Sequence, residues 1–234
     1  MAKISFLRGL AVPPATPSLV VVAFGSGKVT LSLGRIFMKR MWLWILICLF
    51  GAGLLVAGCQ ATRASYESAP YEVVRTDGKF ELRDYPSLTV VETPMARANG
   101  SDGSFMRLFR FISGTNNEKQ KIAMTTPVFM SGSEANATMA FVMPAKMKSG
   151  EVPRPSDSAV TVRELPAGRF AVLRFSGNQN PKNEAEALAQ LKAWMAKERL
   201  SDPSPPVYGY FDPPWTPPFL RRNEVMLRAG ENPE

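Results

Sequence analysis

Between Ser104 and Met130 the chain places residue types that can hold a ligand at a spacing that groups them. Phe105, Leu108, Phe109 and Ile112 fall at i, i+3, i+4 and i+7, the pattern of one apolar helix face. Met106 and Phe111 flank that stripe, so the segment is more apolar than a single buried face requires, and the excess points to a ligand surface. A bland alternative is a short helix covered on most sides by its own domain. Arg107 and Arg110 take the other side, as a solvated face or as partners for carboxylates. What this chemistry excludes is equally informative. The 234-residue chain has no histidine, which removes Ser-His and Cys-His nucleophiles and His-based zinc sites. It points away from an enzyme, with no catalytic residue and no metal ligand assigned.

The elements that must position these residues start with a leader. Lys39 and Arg40 precede an uncharged run from Met41 to Ala57, the layout of a secretory signal, and the run ends Leu55-Val-Ala-Gly-Cys59. That ending resembles the lipobox of bacterial lipoproteins, in which Cys59 is acylated and becomes the mature N-terminus. The alternative is a plain transmembrane anchor. On the lipoprotein reading, residues 38–58 are the signal peptide, and 59–69 tether the domain to a lipid at the membrane. The protein then faces the periplasm of a bacterial cell envelope, with Gln60 after the cysteine resembling proteins sorted to the outer membrane. Residues 1–37 fit poorly before such a signal and read as an over-extended gene start, with Met38 as the working one. Six of the 28 basic residues and none of the 20 acidic ones lie in residues 1–58, so the formal +8 falls to 22 − 20 = +2 beyond them, and no nucleic-acid partner is expected. With Cys48 in the signal and Cys59 acylated, the domain has no disulfide and depends on its core.

From residue 70 to 230 the pattern reads as one α+β domain. Phe80 to Arg83 and Leu88 to Thr93 alternate as strands around Tyr85-Pro86, the helix follows, and strands end at Met130 and Met143. Val160 to Leu165 and Arg169 to Phe175 repeat the arrangement around Pro166. A second helix comes next, with Asn180 as N-cap, Pro181 at its first position, and Leu188, Leu191, Trp194 and Met195 on one face. Val207 to Phe211 and Glu224 to Arg228 supply two more strands. Two βαββ repeats joined in a distorted antiparallel β-barrel with two helices is the economical description. Seven prolines in residues 201–218 make that stretch irregular and place it at the rim. Arg221-Arg222-Asn223-Glu224 reads as an ion-paired strand end; carboxylate hydrolysis through Asp84, Glu92 or Glu224 is the enzymatic alternative.

Glu81-Leu-Arg-Asp-Tyr-Pro86, Ile122-Ala-Met-Thr-Thr-Pro-Val128, Phe141-Val-Met-Pro144, Arg174-Phe-Ser-Gly177, Tyr210-Phe-Asp-Pro-Pro214 and Arg221-Arg-Asn-Glu-Val225 come in the order found in one family. Together they resemble the SOUL/haem-binding proteins. The resemblance implies a barrel of two βαββ halves like GyrI-like drug-binding domains, and non-covalent association with haem or another porphyrin; it does not imply an enzyme. His ligation being impossible, Met or Tyr remains as an axial ligand, or none at all. The methionines suit a pocket lining better than coordination. A porphyrin is a flat apolar plate with two carboxylates, and the expected contacts are Met106, Phe109 and Met124 for its face and Arg107 and Arg110 for its edge. By resemblance, Arg110 matches a basic helix position proposed to meet a propionate, whereas Trp215-Thr216 stand where the family can carry another basic residue. A non-haem ligand, or a purely structural envelope lipoprotein of the same fold, is the competing reading.

Overall fold

The computed structural model describes residues 32–96, 102–132, 136–147, 149–201 and 204–231. Most of the segment expected as an over-extended start therefore lies outside the described residues. The chain divides into two compact units, residues 1–50 and 51–234. Helix α1 (Ser32–Ala64) contains the apolar stretch Arg40–Gly58, whose mean hydropathy of 2.2 makes it long and apolar enough to cross a membrane. The side chain of Cys59 falls outside the described ones. The tether expected over 59–69 is partly built into structure. The helix runs through Ala64, strand β1 (Glu67–Ser68) follows it, and Ala69 is buried.

The rest of the domain follows in the order β2 (Glu72–Asp77), β3 (Phe80–Tyr85), β4 (Leu88–Pro94), α2 (Ser104–Ile112), β5 (Thr125–Thr126), β6 (Val128–Ser131) and β7 (Thr138–Val142). A second run comprises β8 (Thr161–Leu165), β9 (Gly168–Phe175), α3 (Pro181–Lys197), β10 (Leu200–Ser201), β11 (Val207–Tyr210), β12 (Asn223–Arg228) and β13 (Gly230–Glu231). Nine strands form one antiparallel sheet in the order β2-β3-β9-β12-β11-β6-β7-β4-β8, and β1 pairs in parallel with β5. The α+β architecture of two βαββ runs is thus present, as a strongly curled half-barrel.

The two halves exchange their first strands. β3 pairs with β9 and β4 with β8, while β6 meets β11 at the centre. The registers match across the duplication: Tyr85 lies opposite Gly168, and Leu88 opposite Leu165. Proline explains why neither Tyr85-Pro86 nor Leu165-Pro166 becomes a hairpin. It lacks an N–H and holds the preceding residue extended, so the chain passes on to the other half of the sheet. Leu165 of the β8 edge and Tyr85 and Phe170 from near the opposite edge then surround one cavity of about 60 Å³, which marks how far the sheet curls.

Alternation divides the core. Tyr85, Leu88, Val90, Phe129, Val172 and Met226 fill the inside of the curl. The opposite face carries both helices: α2 over Val91, Met139 and Phe141, and α3 over Leu82, Leu173, Val225 and Leu227. Helix α3 follows the expected pattern closely. Asn180 accepts a hydrogen bond from the Asn183 N–H, Pro181 opens the helix, and Ala187, Leu191, Trp194 and Met195 are buried with Leu188 partly so. Each fully buried aliphatic side chain here contributes roughly 1.5–3 kcal/mol.

Candidate functional site

Helix α2 is turned from its expected orientation, and that rotation creates the site. Ser104, Leu108, Phe111 and Ile112 are buried, whereas Phe105, Met106 and Phe109 remain 39%, 46% and 41% exposed. The cause is Arg107. Its guanidinium donates to Thr93 Oγ1 (3.0 Å) and to the Pro94 carbonyl (2.7 Å) at the end of β4, and lies 3.7 Å from the Asp102 carboxylate. Residues 104, 107, 108 and 111 form one stripe, so fixing Arg107 turns that stripe to the sheet. Asp102 also accepts the N–H groups of Ser104 and Ala96, and Gly103 takes φ 85° to start the helix. Burial alone would raise the Asp102 pKa, but these N–H donors outweigh it and hold the carboxyl at about 2.

The apolar residues left uncovered face a groove. Its floor is the helix-bearing side of the β6–β11 pair, where Val128 lies opposite Tyr210 and Met130 opposite Tyr208. Phe105 stacks with Phe109 at 6.1 Å and meets Phe141 edge-on at 5.2 Å, which forms a rigid aromatic wall. The turn Pro213-Pro214-Trp215 and Tyr66 make the rim of a cavity of about 400 Å³, within the range of small-molecule sites. A second cavity of about 260 Å³ shares Phe105, Val128, Tyr210, Asp212 and Pro214 with the first and extends it to Met139, Gln179, Arg221 and Asn223.

The expected contacts separate on this geometry. Met106, Phe109 and Met124 line the larger cavity. Arg107 does not line it; its guanidinium holds the helix to β4. Arg110 is exposed, is absent from the lining of either cavity, and has no side-chain partner among the described residues. Phe105, expected in the core stripe, is instead groove wall, and Trp215 and Tyr66 are cavity-lining residues that periodicity does not reveal. The tryptophan inside a proline-rich turn was the available signal, since a large aromatic on an irregular rim has no core to fill.

The tyrosines of the floor are poor iron ligands. Tyr210 donates to Glu184 Oε1 at 2.6 Å; burial first, then this bond, push its pKa far above the ordinary range. Burial and the charge of Glu184 push Tyr208 up to about 12. Both phenols stay protonated at neutral pH, and a tyrosinate is what iron requires. Met130 Sδ already accepts a hydrogen bond from Gln179. Among the described residues no group of three His, Cys, Asp or Glu could hold a metal. The carboxylates of the hydrolase alternative are all engaged: Asp84 by Arg169 at 2.7 Å, Glu92 by Arg163 at 3.1 Å, and Glu224 by Arg83 at 2.8 Å.

A family model described as "SOUL heme-binding protein" matches residues 66–228, most of the chain. The chain belongs to the SOUL heme-binding protein family. A relative is Heme-binding protein 2 of Homo sapiens, 26% identical over 189 residues that cover 76% of this chain and 91% of that protein. Among solved structures, the C-terminal domain of EcmrR superimposes with a TM-score of 0.50 at 11% identity, over 69% of this chain and 99% of that one. A hydrolase encoded by lin2189 from Listeria innocua gives 0.51 at 10% identity, over 67% and 94%. At such identities these two establish the fold alone, which is GyrI-like. The SOUL family comprises binding proteins rather than enzymes, and its description makes haem or tetrapyrrole binding the general expectation for its members. In this SOUL domain an apolar groove lies between α2 and the Pro213–Trp215 turn.

Proposed function

We propose that this SOUL protein binds haem, or another tetrapyrrole or amphipathic planar ligand, in the groove beside α2, without histidine ligation and attached to a bacterial envelope by a lipid on Cys59. The observation that carries the binding role is the uncovered apolar face of α2: Phe105, Met106 and Phe109 line a cavity of about 400 Å³ and are not packed away. Haem bound there contributes an apolar plate with two anionic arms and an iron centre. Phe109, Met106, Met124 and Trp215 hold the plate by packing, and the protonated Tyr210 stays with Glu184. Membrane attachment rests on the Val56-Ala-Gly-Cys59 sequence and on the apolar stretch Arg40–Gly58, with an outer-membrane, periplasm-facing location as its corollary.

Titration of the full chain in nanodiscs with haemin and with iron-free protoporphyrin tests the binding mode. The two should bind within about tenfold of each other, since a larger gap means more than about 1.4 kcal/mol from an iron ligand. A haemin affinity far above that of protoporphyrin, with a low-spin spectrum lost on replacing one Met or Tyr, would overturn it.

A further inference from the structure

Among the described residues, the lining of the two joined cavities contains one cation, Arg221, which belongs to the smaller cavity, and one acid, Asp212. Asp212 is engaged, accepting the Arg222 N–H at 2.6 Å. Arg221 is held differently. Its Nε donates to the Thr216 carbonyl at 2.8 Å, Nη1 to Asn178 Oδ1 at 3.2 Å, and Nη2 to the Pro214 carbonyl. All three acceptors are neutral, and no carboxylate pairs with this guanidinium among the described residues. Of its five N–H donors three are used, leaving one on each terminal nitrogen, a fork suited to an oxyanion.

The surroundings reinforce that charge. On its other side Arg221 joins Lys79, Arg174 and Arg222 around an open depression of about 580 Å³ with no acid in its lining among the described residues. Arg174 and Arg222, with the buried Arg83, are paired to Glu81 and Glu224. Five cations (Lys79, Arg83, Arg174, Arg221, Arg222) thus stand against three carboxylates (Glu81, Glu224 and Asp212), an excess of two positive charges around Arg221 among the described residues. Clefts of one sign attract and orient ligands of the other.

We propose that Arg221 is the specificity-determining residue of the groove, so that its ligand is an amphipathic anion with its apolar body against Phe105 and Phe109 and a carboxylate or other oxyanion at Arg221. This rests on the binding role proposed above and deepens it. It also moves the charge contact from α2, where Arg110 is absent from the lining of either cavity, to the strand-entry residue Arg221.

The test compares protoporphyrin with its uncharged dimethyl ester, titrated by fluorescence against the full chain in nanodiscs, empty nanodiscs being subtracted. Arg221→Gln should weaken protoporphyrin by about ten- to a hundredfold, the loss expected for a charge-assisted hydrogen bond, and leave the ester within about twofold. Arg221→Lys should recover part of the loss, and Arg110→Gln should change neither ligand. Equal weakening of both ligands by Arg221→Gln would show that Arg221 only braces the Pro214–Thr216 turn and would overturn the proposal, as would unchanged protoporphyrin binding. If the wild type binds neither ligand, the binding role itself falls; if it binds both and Arg221→Gln does not discriminate between them, only this inference falls.

Discussion

Arg83 and Glu224, 141 residues apart and both fully buried, form a two-pronged ion pair, Nη1 to Oε2 at 2.8 Å and Nη2 to Oε1 at 3.0 Å. The pair reaches from β3 to β12 past the intervening β9, and so ties the first half of the duplication to the second. Glu81, Tyr85 and the face of Tyr71 complete the surroundings of Arg83, while Arg222 and Arg174 complete those of Glu224. Burial opposes ionisation of Glu224, but its bond to Arg83 and the neighbouring arginines outweigh it and keep its pKa below the usual carboxylate range.

Breaking this pair from one side should cost more than removing it. Arg83→Met alone is expected to destabilise the domain by about 3–5 kcal/mol, because a buried carboxylate loses its main partner. The double variant Arg83→Met with Glu224→Leu should recover a large part of that loss, since Arg174 and Arg222 are exposed enough to turn to water. Urea denaturation of the two single variants and the double measures the coupling; simple additivity would refute it.

Phe109 and Phe111, two residues apart on α2, should separate binding from folding. Phe111 is 2% exposed and Phe109 41%. Phe111→Ala should therefore cost about 3–5 kcal/mol of stability, and Phe109→Ala much less. Porphyrin affinity, measured on folded protein, should fall at least severalfold for Phe109→Ala. Equal melting losses for both variants would return Phe109 to the core.

Acid should loosen the groove wall through Asp102. Its folded pKa of about 2 lies below the ordinary 3.8, so its contribution is present above about pH 4 and is lost as the pH falls toward 2. Asp102→Ala should lower stability at neutral pH and flatten the pH dependence over that window. Thermal melts at pH 6, 4 and 2.5 follow this; an unchanged slope would separate Asp102 from the helix start.

Lipid attachment should depend on one thiol. Cys59→Ser is expected to abolish fatty-acid labelling and leave an unprocessed precursor. Palmitate incorporation equal to wild type would dismiss the lipid anchor, leaving Arg40–Gly58 as a membrane-spanning helix.

Much of this protein is determined locally and was therefore legible in the sequence. Asn180-Pro181 opens α3 because capping and a fixed φ act within one turn, and the strands around Pro86 and Pro166 follow from alternation and from proline's missing donor. The ordered motifs from Glu81 to Val225 pointed to the family, and the absence of histidine bounded the chemistry. What only tertiary structure decided are relations between distant residues. The exchange of β3 and β8 between halves depends on pairing across 69 (Glu92 to Thr161) to 93 (Phe80 to Leu173) residues, which no local pattern encodes. The face α2 presents was set by Arg107 gripping Thr93 and Pro94, a contact that overrode the apolar stripe and left Phe105 in the groove. The charged end of that groove was hidden for the same reason. In sequence Arg221 is one of two adjacent arginines, and only the folded turn Pro214–Thr216, by occupying its guanidinium with neutral carbonyls, distinguishes it from Arg222, which is paired to Glu224.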